Sequence, residues 1–367
     1  MFRMIRSKLR EEIVFLVSLL LAMTTSFLVK PEFGDIDWHV VGSLFNLMAA
    51  VIGLERVRML DTIAVRLVRR FSDERRVTLA MVLLTGLLAT AVTNDVALIS
   101  LVPLMLLIAR KSNFDPMRAV ILQTLAANIG SALTPMGNPQ NLFLFSHYKL
   151  TPSALFLAAL PFVASGMLVL SAATLLLIPT RPITFKIGMT REIGRIRTLL
   201  YLLLFAAGVA AVFRWIPVWT ASLAVTGTLM MLDRPLFRKM DAFLLLTFIC
   251  FFIAIGNLSR MPVVTELAGN LLSTERGTYL AGLLLSQGIS NVPAALLLAP
   301  FTEHWRAVLL GVNIGGMGTL VASMASLISY RLYARHHHGS SYLKEFHAVN
   351  AILLMLFGLV FLFTFAA

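Results

Sequence analysis

The sequence predicts an all-α polytopic membrane protein with inverted-topology repeats, about nine spanning helices, two re-entrant hairpins and two broken helices. Three observations lead there. Hydrophobic residues fill 58% of the 367 positions and charged residues 13%, against about 25% charged in soluble domains. Apolar runs over 13–29, 154–178, 242–258 and 348–367 approach or exceed the roughly 20 residues that cross a bilayer. The third observation is an internal duplication, the feature to seek before any other.

The first copy runs Thr93-Asn94-Asp95, Pro103, Met117-Arg118-Ala119-Val120, Asn128-Ile129-Gly130 and Gly137-Asn138-Pro139-Gln140-Asn141. The second runs Ser290-Asn291-Val292-Pro293, Pro300, Trp305-Arg306-Ala307-Val308, Asn313-Ile314-Gly315 and Ala322-Ser323-Met324-Ala325-Ser326. The offset is 197 at the Asn (94 to 291), 188 at the Arg (118 to 306) and 185 at Asn-Ile-Gly (128 to 313). Polar, Gly/Pro-interrupted segments at matching places in two halves of a membrane chain mark a carrier's binding region.

Taken in order, span 1 (13–30) follows Arg3, Arg6, Lys8 and Arg10, which place the N-terminus in the cytoplasm. The acidic loop Glu32, Asp35, Asp37 is external, and span 2 (38–56) returns. Leu60, Ile63, Ala64, Leu67, Val68 and Phe71 recur at helical spacing opposite Arg66, Arg69 and Arg70, which predicts an amphipathic helix in the interface. Residues 77–108 are apolar, yet Thr93-Asn94-Asp95 lies at their centre and basic residues at both ends. A re-entrant hairpin with its tip at Asn94 satisfies the charge rule, and irregular backbone at that depth needs protein or a water-filled cavity around it.

Span 3 starts near Met117, breaks over Thr134–Pro139 and resumes at Asn141, because Pro removes a helix donor. Span 4 (154–178) leads to a basic linker, 181–197. Span 5 (198–213), span 6 (218–232) and span 7 (242–258) follow, then an interfacial segment (262–275) and a second hairpin (278–302) with its tip at Ser290-Asn291. Span 8 (305–333) softens at Gly315–Gly318 and at Ala322-Ser323, a basic loop covers 331–344, and span 9 (347–366) ends outside. A four-span repeat ends on the side where it began, so span 5 is the extra crossing that inverts the second copy.

The expected units are 1–76 (repeat-one scaffold and arm), 77–150 (first hairpin and broken helix, the transport part) and 151–197 (span 4 and linker). They continue with 198–276 (span 5, repeat-two scaffold and arm), 277–335 (second hairpin and broken helix) and 336–367 (last span).

Thr93, Asn94, Ser290 and Asn291 offer short hydrogen-bonding side chains at the two tips, and Thr134, Asn138, Asn141, Thr319, Ser323 and Ser326 add more at the breaks. Helix N-termini there suit an anion, and carbonyls at helix ends suit Na⁺. Packed helices also satisfy such groups across their interfaces. Asp95 is a carboxylate deep in an apolar run, a functional candidate by default. Removal from water favours its protonated form and brings proton exchange within reach. A hairpin-capping role is the alternative, and Val292 is its counterpart in the second copy. Cys250 is a lone buried thiol, which excludes an internal disulfide. His336-His337-His338 reads as a solvated loop. The net charge of +13 sits in short loops and shows no aromatic stacking platform, so no nucleic-acid partner is expected. No nucleophile elbow, P-loop or zinc-protease pattern occurs, so no enzyme activity is expected.

At the two Asn tips and the two Asn-Ile-Gly stretches the sequence resembles the ion transporter superfamily, which contains divalent anion/sodium symporters, citrate-type carriers, arsenite permeases and a class of sodium/proton antiporters. It is most similar to short bacterial inner-membrane members with a citrate-transporter-like domain. The resemblance covers the chain from about Ile36-Asp37-Trp38. It implies a scaffold, a moving transport part, an elevator mechanism and a homodimer in the inner membrane. By residue, it implies shared substrate and ion contacts at Asn94 and Asn291, substrate contacts at Asn138 and Ser323, and Na⁺ carbonyls at Gly137 and Ala322. The residues themselves add Asp95, Asn141 and Ser290 to the substrate contacts. Ion contacts would fall at Thr93, Asn94, Asp95, Gly137, Ser290, Asn291 and Ala322, with Na⁺ or H⁺ as coupling ion and no other metal or cofactor.

Asp95 and Val292 stand where the dicarboxylate branch has Thr, and Pro139-Gln140-Asn141 and Met324-Ala325-Ser326 stand where it has Pro-Pro-Asn. An ionised Asp95 would repel a nearby dianion by several kcal/mol at low dielectric, so a monoanion, a neutral oxyacid or a cation exchanged for protons fits better. The expected function is secondary active transport of a small anionic solute, carboxylate or oxyanion, coupled to Na⁺ or H⁺. Alternatives are a cation/proton antiporter using Asp95, an oxyacid efflux permease, or a channel or membrane-complex subunit.

Overall fold

The computed structural model describes residues 13–183, 194–337 and 339–365. Arg3, Arg6, Lys8, Arg10, the middle of the basic linker and His338 lie outside the described residues. Within them the chain forms seventeen α-helices and no strand beyond one isolated bridge between Asp73 and Pro182.

Polar caps start many of the helices. After α1 (Ile13–Leu28), the Asp37 carboxylate accepts from the His39 and Val40 amides and starts α2 (Trp38–Arg56). Arg58 turns the chain through left-handed backbone into α3 (Met59–Val68), the predicted arm. Its buried arc is Leu60, Ala64, Val65 and Val68, centred between Ala64 and Val68, and this turns Ile63 outward, where it is 40% exposed. Asp73 caps α4 (Glu74–Ala91), which meets α5 (Asn94–Ser112) at the first tip. α6 (Met117–Ser131) and α7 (Pro139–His147) form the first broken helix, and α8 (Pro152–Leu177) closes the repeat.

α9 (Arg195–Val212) is the extra crossing. The second repeat is α10 (Val218–Leu232), α11 (Ala242–Ser259), the arm α12 (Pro262–Leu271), the hairpin α13 (Glu275–Ile289) and α14 (Asn291–Leu298), the broken helix α15 (Trp305–Gly315) and α16 (Met324–Ala334), and α17 (Gly339–Leu362). α17 begins before the predicted span at 347, and much of the expected basic loop is helical. Glu345 on this extension pairs with Arg118 at 2.7 Å, which ties it to the start of α6.

Helices α2, α8, α9, α11 and α17 are each long and apolar enough to cross a membrane alone. α1 and α10 are shorter apolar helices of 16 and 15 residues. With the two broken helices these match the nine expected crossings.

The helices pack in two groups. α1 lies along α11, and α2 along α9 and α10. The second group holds the hairpins, the broken helices, α8 and α17, with α4 on α6 and α13 on α15. Each hairpin's second arm lies on the far half of the other repeat's broken helix, α5 against α16 and α14 against α7. Glycine makes the contact of α4 with α6 close: a Cβ on Gly130 would stand 2.2 Å from the Gly86 carbonyl oxygen. At the equivalent Gly315 it would stand 3.0 Å from the Leu283 oxygen, and 283 is 86 plus the tip offset of 197. The same backbone approach is built twice.

Candidate functional site

Both hairpin tips hold a non-glycine residue at positive φ, Thr93 at 136° and the equivalent Ser290 at 75°. For β-branched Thr this is an outlier, and such strain persists where the surroundings over-determine it, often at ligand clamps. The surroundings here are paired. The Thr134 hydroxyl donates to the Thr90 carbonyl, and the Thr319 hydroxyl to the Gln287 carbonyl at 2.9 Å. The Asn94 amide donates to the Gly137 carbonyl at 3.0 Å, and the Ser290 hydroxyl reaches the Ala322 carbonyl at 3.4 Å. Gly137 is required by space, since a Cβ would lie 2.1 Å from the Ser131 carbonyl oxygen.

Two asparagines of the Asn-Ile-Gly stretches join the repeats across the centre. Asn128 donates to the Ser326 hydroxyl at 3.2 Å and accepts from Ser323 at 3.0 Å. Its partner in the pseudo-symmetry, Asn313, accepts from Asn138 at 3.0 Å and donates to Asn141 at 2.8 Å. Each asparagine therefore grips the two polar residues that follow the break of the other repeat. Asn94 reaches Asn128 at 3.4 Å, which draws the first tip into the network. Asn138 also caps α7, accepting from the Asn141 amide at 2.9 Å. Asn141 donates to the Ala132 and Thr134 carbonyls at 2.8 and 3.2 Å, satisfying the open end of α6.

The structure thus brings together Asn94, Asn138, Asn141 and Ser323 of the predicted site. Ser290, Asn291 and Ala322 form a second knot at the other tip, where all three are buried and the Ser290 hydroxyl is 3.5 Å from the Asn291 Oδ1. Asp95 stands apart from both. Its amide is bonded to the Asn94 Oδ1 at 2.9 Å, whereas its carboxylate Oδ1 is buried without a hydrogen-bond partner. It lines a cavity of about 210 Å³ together with Thr93 and Asn138. Asn128, Asn313 and Gln287 were absent from the residues expected at the site. The repeated Asn-Ile-Gly already signalled the first two, but Gln287 faces Thr90 across the pseudo-symmetry and has no sequence signature.

The N-termini of α5, α7, α14 and α16 start at this centre, at Asn94, Pro139, Asn291 and Met324. Their open N–H groups suit an anionic group, while the Gly137 and Ala322 carbonyls at the tips are hard oxygen donors.

The citrate transporter family profile matches residues 1–305. The chain belongs to the citrate transporter family. It is 33% identical over 322 residues to an uncharacterised transporter of Methanocaldococcus jannaschii, covering 86% of this chain and 87% of that one. It is 32% identical over 323 residues to the inner membrane protein YbiR of Escherichia coli, covering 88% and 87%. A shorter match, 29% over 135 residues, joins 37% of this chain to 28% of a silicon efflux transporter of Oryza sativa. Among solved structures, the YdaH transporter of Alcanivorax borkumensis shares the fold at a TM-score of 0.59 and 14% identity, over 95% and 96% of the two chains. As a member of this family the chain is a multi-pass membrane transporter.

Proposed function

We propose that this chain is a secondary active transporter of a small oxyanion or carboxylate, coupled to Na⁺ or H⁺ and working by elevator-type alternating access. The observation that carries the reading is the reciprocal pair Asn128–Ser323/Ser326 and Asn313–Asn138/Asn141, which fixes two broken helices to each other beside two strained tips. A bundle that only needed packing has no reason to place four helix N-termini and this much amide at its centre. In this reading the α1, α2, α9, α10 and α11 group is the scaffold, and the hairpin group moves with the solute. Solute contacts come from Asn94, Asn138, Asn141, Ser290, Asn291 and Ser323, and ion contacts from Thr93, Asp95 and the Gly137 and Ala322 carbonyls.

The face bearing Arg56, Arg58, Arg110, Lys111, Lys239 and Arg331 is then cytoplasmic by the positive-inside rule, in a bacterial-type inner membrane. The cavity beside Asp95 reaches Lys239 on that face. At the other face the Ser146 hydroxyl donates to the Asp37 carboxylate at 2.8 Å and the Tyr148 hydroxyl to the Thr302 carbonyl at 2.9 Å. These features support an inward-facing state, and the homodimer is proposed on the family resemblance alone.

One observation favours a second reading. The unpartnered Asp95 oxygen suits a cation or proton better than an anion, as in a cation/proton antiporter. A single experiment separates the two: thermal unfolding of detergent-purified protein with Na⁺, Li⁺, pH and a panel of carboxylates and oxyanions, followed by flux in liposomes. Joint stabilisation by Na⁺ and one anion is the expected result. Stabilisation by cation or pH alone, abolished in Asp95→Asn, moves the conclusion to the antiporter.

A further inference from the structure

The cavity beside Asp95 has two unlike walls. One belongs to the first tip and break, with Thr93, Asp95 and Asn138. The other is a single face of α2, formed by Leu44, Leu47, Met48, Ile52 and Glu55 at helical spacing. From Leu44 to Glu55 this wall rises roughly 16 Å at 1.5 Å per residue, and Glu55 is its one charged group. Glu55 Oε1 is buried and without a hydrogen-bond partner, as is Asp95 Oδ1 on the facing wall. An unbonded carboxylate oxygen kept from water is costly, and most of all when charged. Two of them around one cavity point to a ligand that brings positive charge.

The other charges agree. Lys239 and Asp241 are the other charged residues of the lining. The Lys239 ammonium and the Asp61 carboxylate of the arm α3 both act on Glu55, and the Asp241 carboxylate acts on Asp95. Glu55, Asp95 and Asp241 against the single Lys239 leave the space acidic. Asp241 is also occupied in capping α11, accepting from the Leu244 amide at 3.0 Å. Glu55 has no such duty.

We propose that Glu55 is a second cation-binding carboxylate, a station on the α2 wall that takes a monovalent cation, Na⁺ or a proton, between Asp95 and the basic face. A cation moving along an otherwise apolar wall meets a large desolvation cost, and a carboxylate part-way divides that step in two. The proposal rests on the transport reading only for the cation's destination, so its test reads Glu55 itself. A hydrophobic carbodiimide labels protonated carboxyl groups shielded from water, and mass spectrometry of the peptides locates the label. Glu55→Gln identifies the Glu55 signal.

In the full-length detergent-purified protein, Glu55 is expected to label. NaCl should slow that labelling relative to choline chloride of equal ionic strength, by about tenfold when Na⁺ is at about ten times its dissociation constant. If the proton is the cation, the labelling rate falls as pH rises and Na⁺ adds nothing. A Glu55 that never labels, or labels equally fast in Na⁺ and choline and at every pH, overturns the proposal. Protection at Glu55 in an unmutated protein that moves no solute in liposomes upholds the station while the transport reading fails.

Discussion

The two hairpin tips share a backbone and differ in charge. Thr93 and Ser290 are strained in the same sense, and each tip touches a break at the equivalent carbonyl, Gly137 or Ala322. Yet Asp95 follows one Asn and Val292 the other, and only at the first tip does the Asn side chain reach its own repeat's Asn-Ile-Gly asparagine. Duplication preserved what the backbone needs, namely close approaches, breaks and crossed amides. What diverged is the side-chain chemistry a solute or ion would meet. The tips can therefore be separated by substitution, one at a time.

The largest difference should come from the close approaches. Gly130→Ala drives a Cβ onto the Gly86 backbone, whereas Gly315→Ala meets the Ser286 side chain at 2.8 Å and the Leu283 carbonyl at 3.0 Å. Overpacking of this kind costs about 1–3 kcal/mol and occasionally more. Gly130→Ala is expected at or beyond the upper end and Gly315→Ala near the lower, read as loss of melting temperature. Equal losses would mean that the second repeat is as tightly closed as the first.

Next in size is the charge itself. Asp95→Asn should remove cation- or pH-dependent stabilisation, which amounts to about 2.7 kcal/mol for a ligand at about a hundredfold excess over its dissociation constant. Val292→Asp should fail to restore it, because Glu55 and Lys239 line the cavity of the first tip. Retained cation dependence in Asp95→Asn would show that the tips bind alike and that their difference in charge is incidental.

The crossed asparagines come third. Asn128→Ala strands the Asn94 side-chain amide and the Ser323 and Ser326 hydroxyls, while Asn313→Ala strands only the Asn141 Oδ1 and leaves Asn138 its bond to Ser131 at 3.1 Å. Orphaned buried groups cost about 1–3 kcal/mol in all, so Asn128→Ala should be the more damaging by about 1 kcal/mol. A double-mutant cycle of Asn128 with Ser323 should show coupling, and Asn128 with Asn313 little, since neither bonds the other.

Much of this was legible in the sequence because helix breaks and repeats announce themselves. Asn94 and Asn291 at equal offset, Pro135 and Pro139 around Gly137, and the basic loops placed both tips and both breaks before any coordinates. Three things were not legible. Asn128 and Asn313 carried a signal, but the sequence does not say that each bonds the opposite repeat, which follows from how α6 and α15 cross. Gln287 holds the second break by donating to the Gly315 and Met317 carbonyls, where repeat one has Thr90, and unlike residues in equivalent places leave no pattern. Glu55 lay in a run of charges at the end of α2, and only the turn of that helix shows that it faces the cavity while Arg56 is exposed.

The smallest expected effect separates the two arms. α3 buries Leu60, Ala64, Val65 and Val68, while α12 buries none of its residues, so a carboxylate on one arm feels burial and on the other does not. Burial pushes Asp61 above the ordinary aspartate range, with Arg58 partly offsetting it. The folded state then binds that proton more tightly than the unfolded state does. Stability is fullest below the ordinary range and declines as pH rises through the raised folded value. At neutral pH the burial penalty is present in full, and Asp61→Asn removes it. Because Asp61 is only half-buried, the gain should be about 0.5 kcal/mol or less, seen as a slightly higher melting temperature at neutral pH that fades in acid. Glu266→Gln on the exposed arm α12 should leave the melting temperature at neutral pH unchanged. A gain from Asp61→Asn that persists in acid would trace to packing of the new amide, and the two arms would then differ in shape alone.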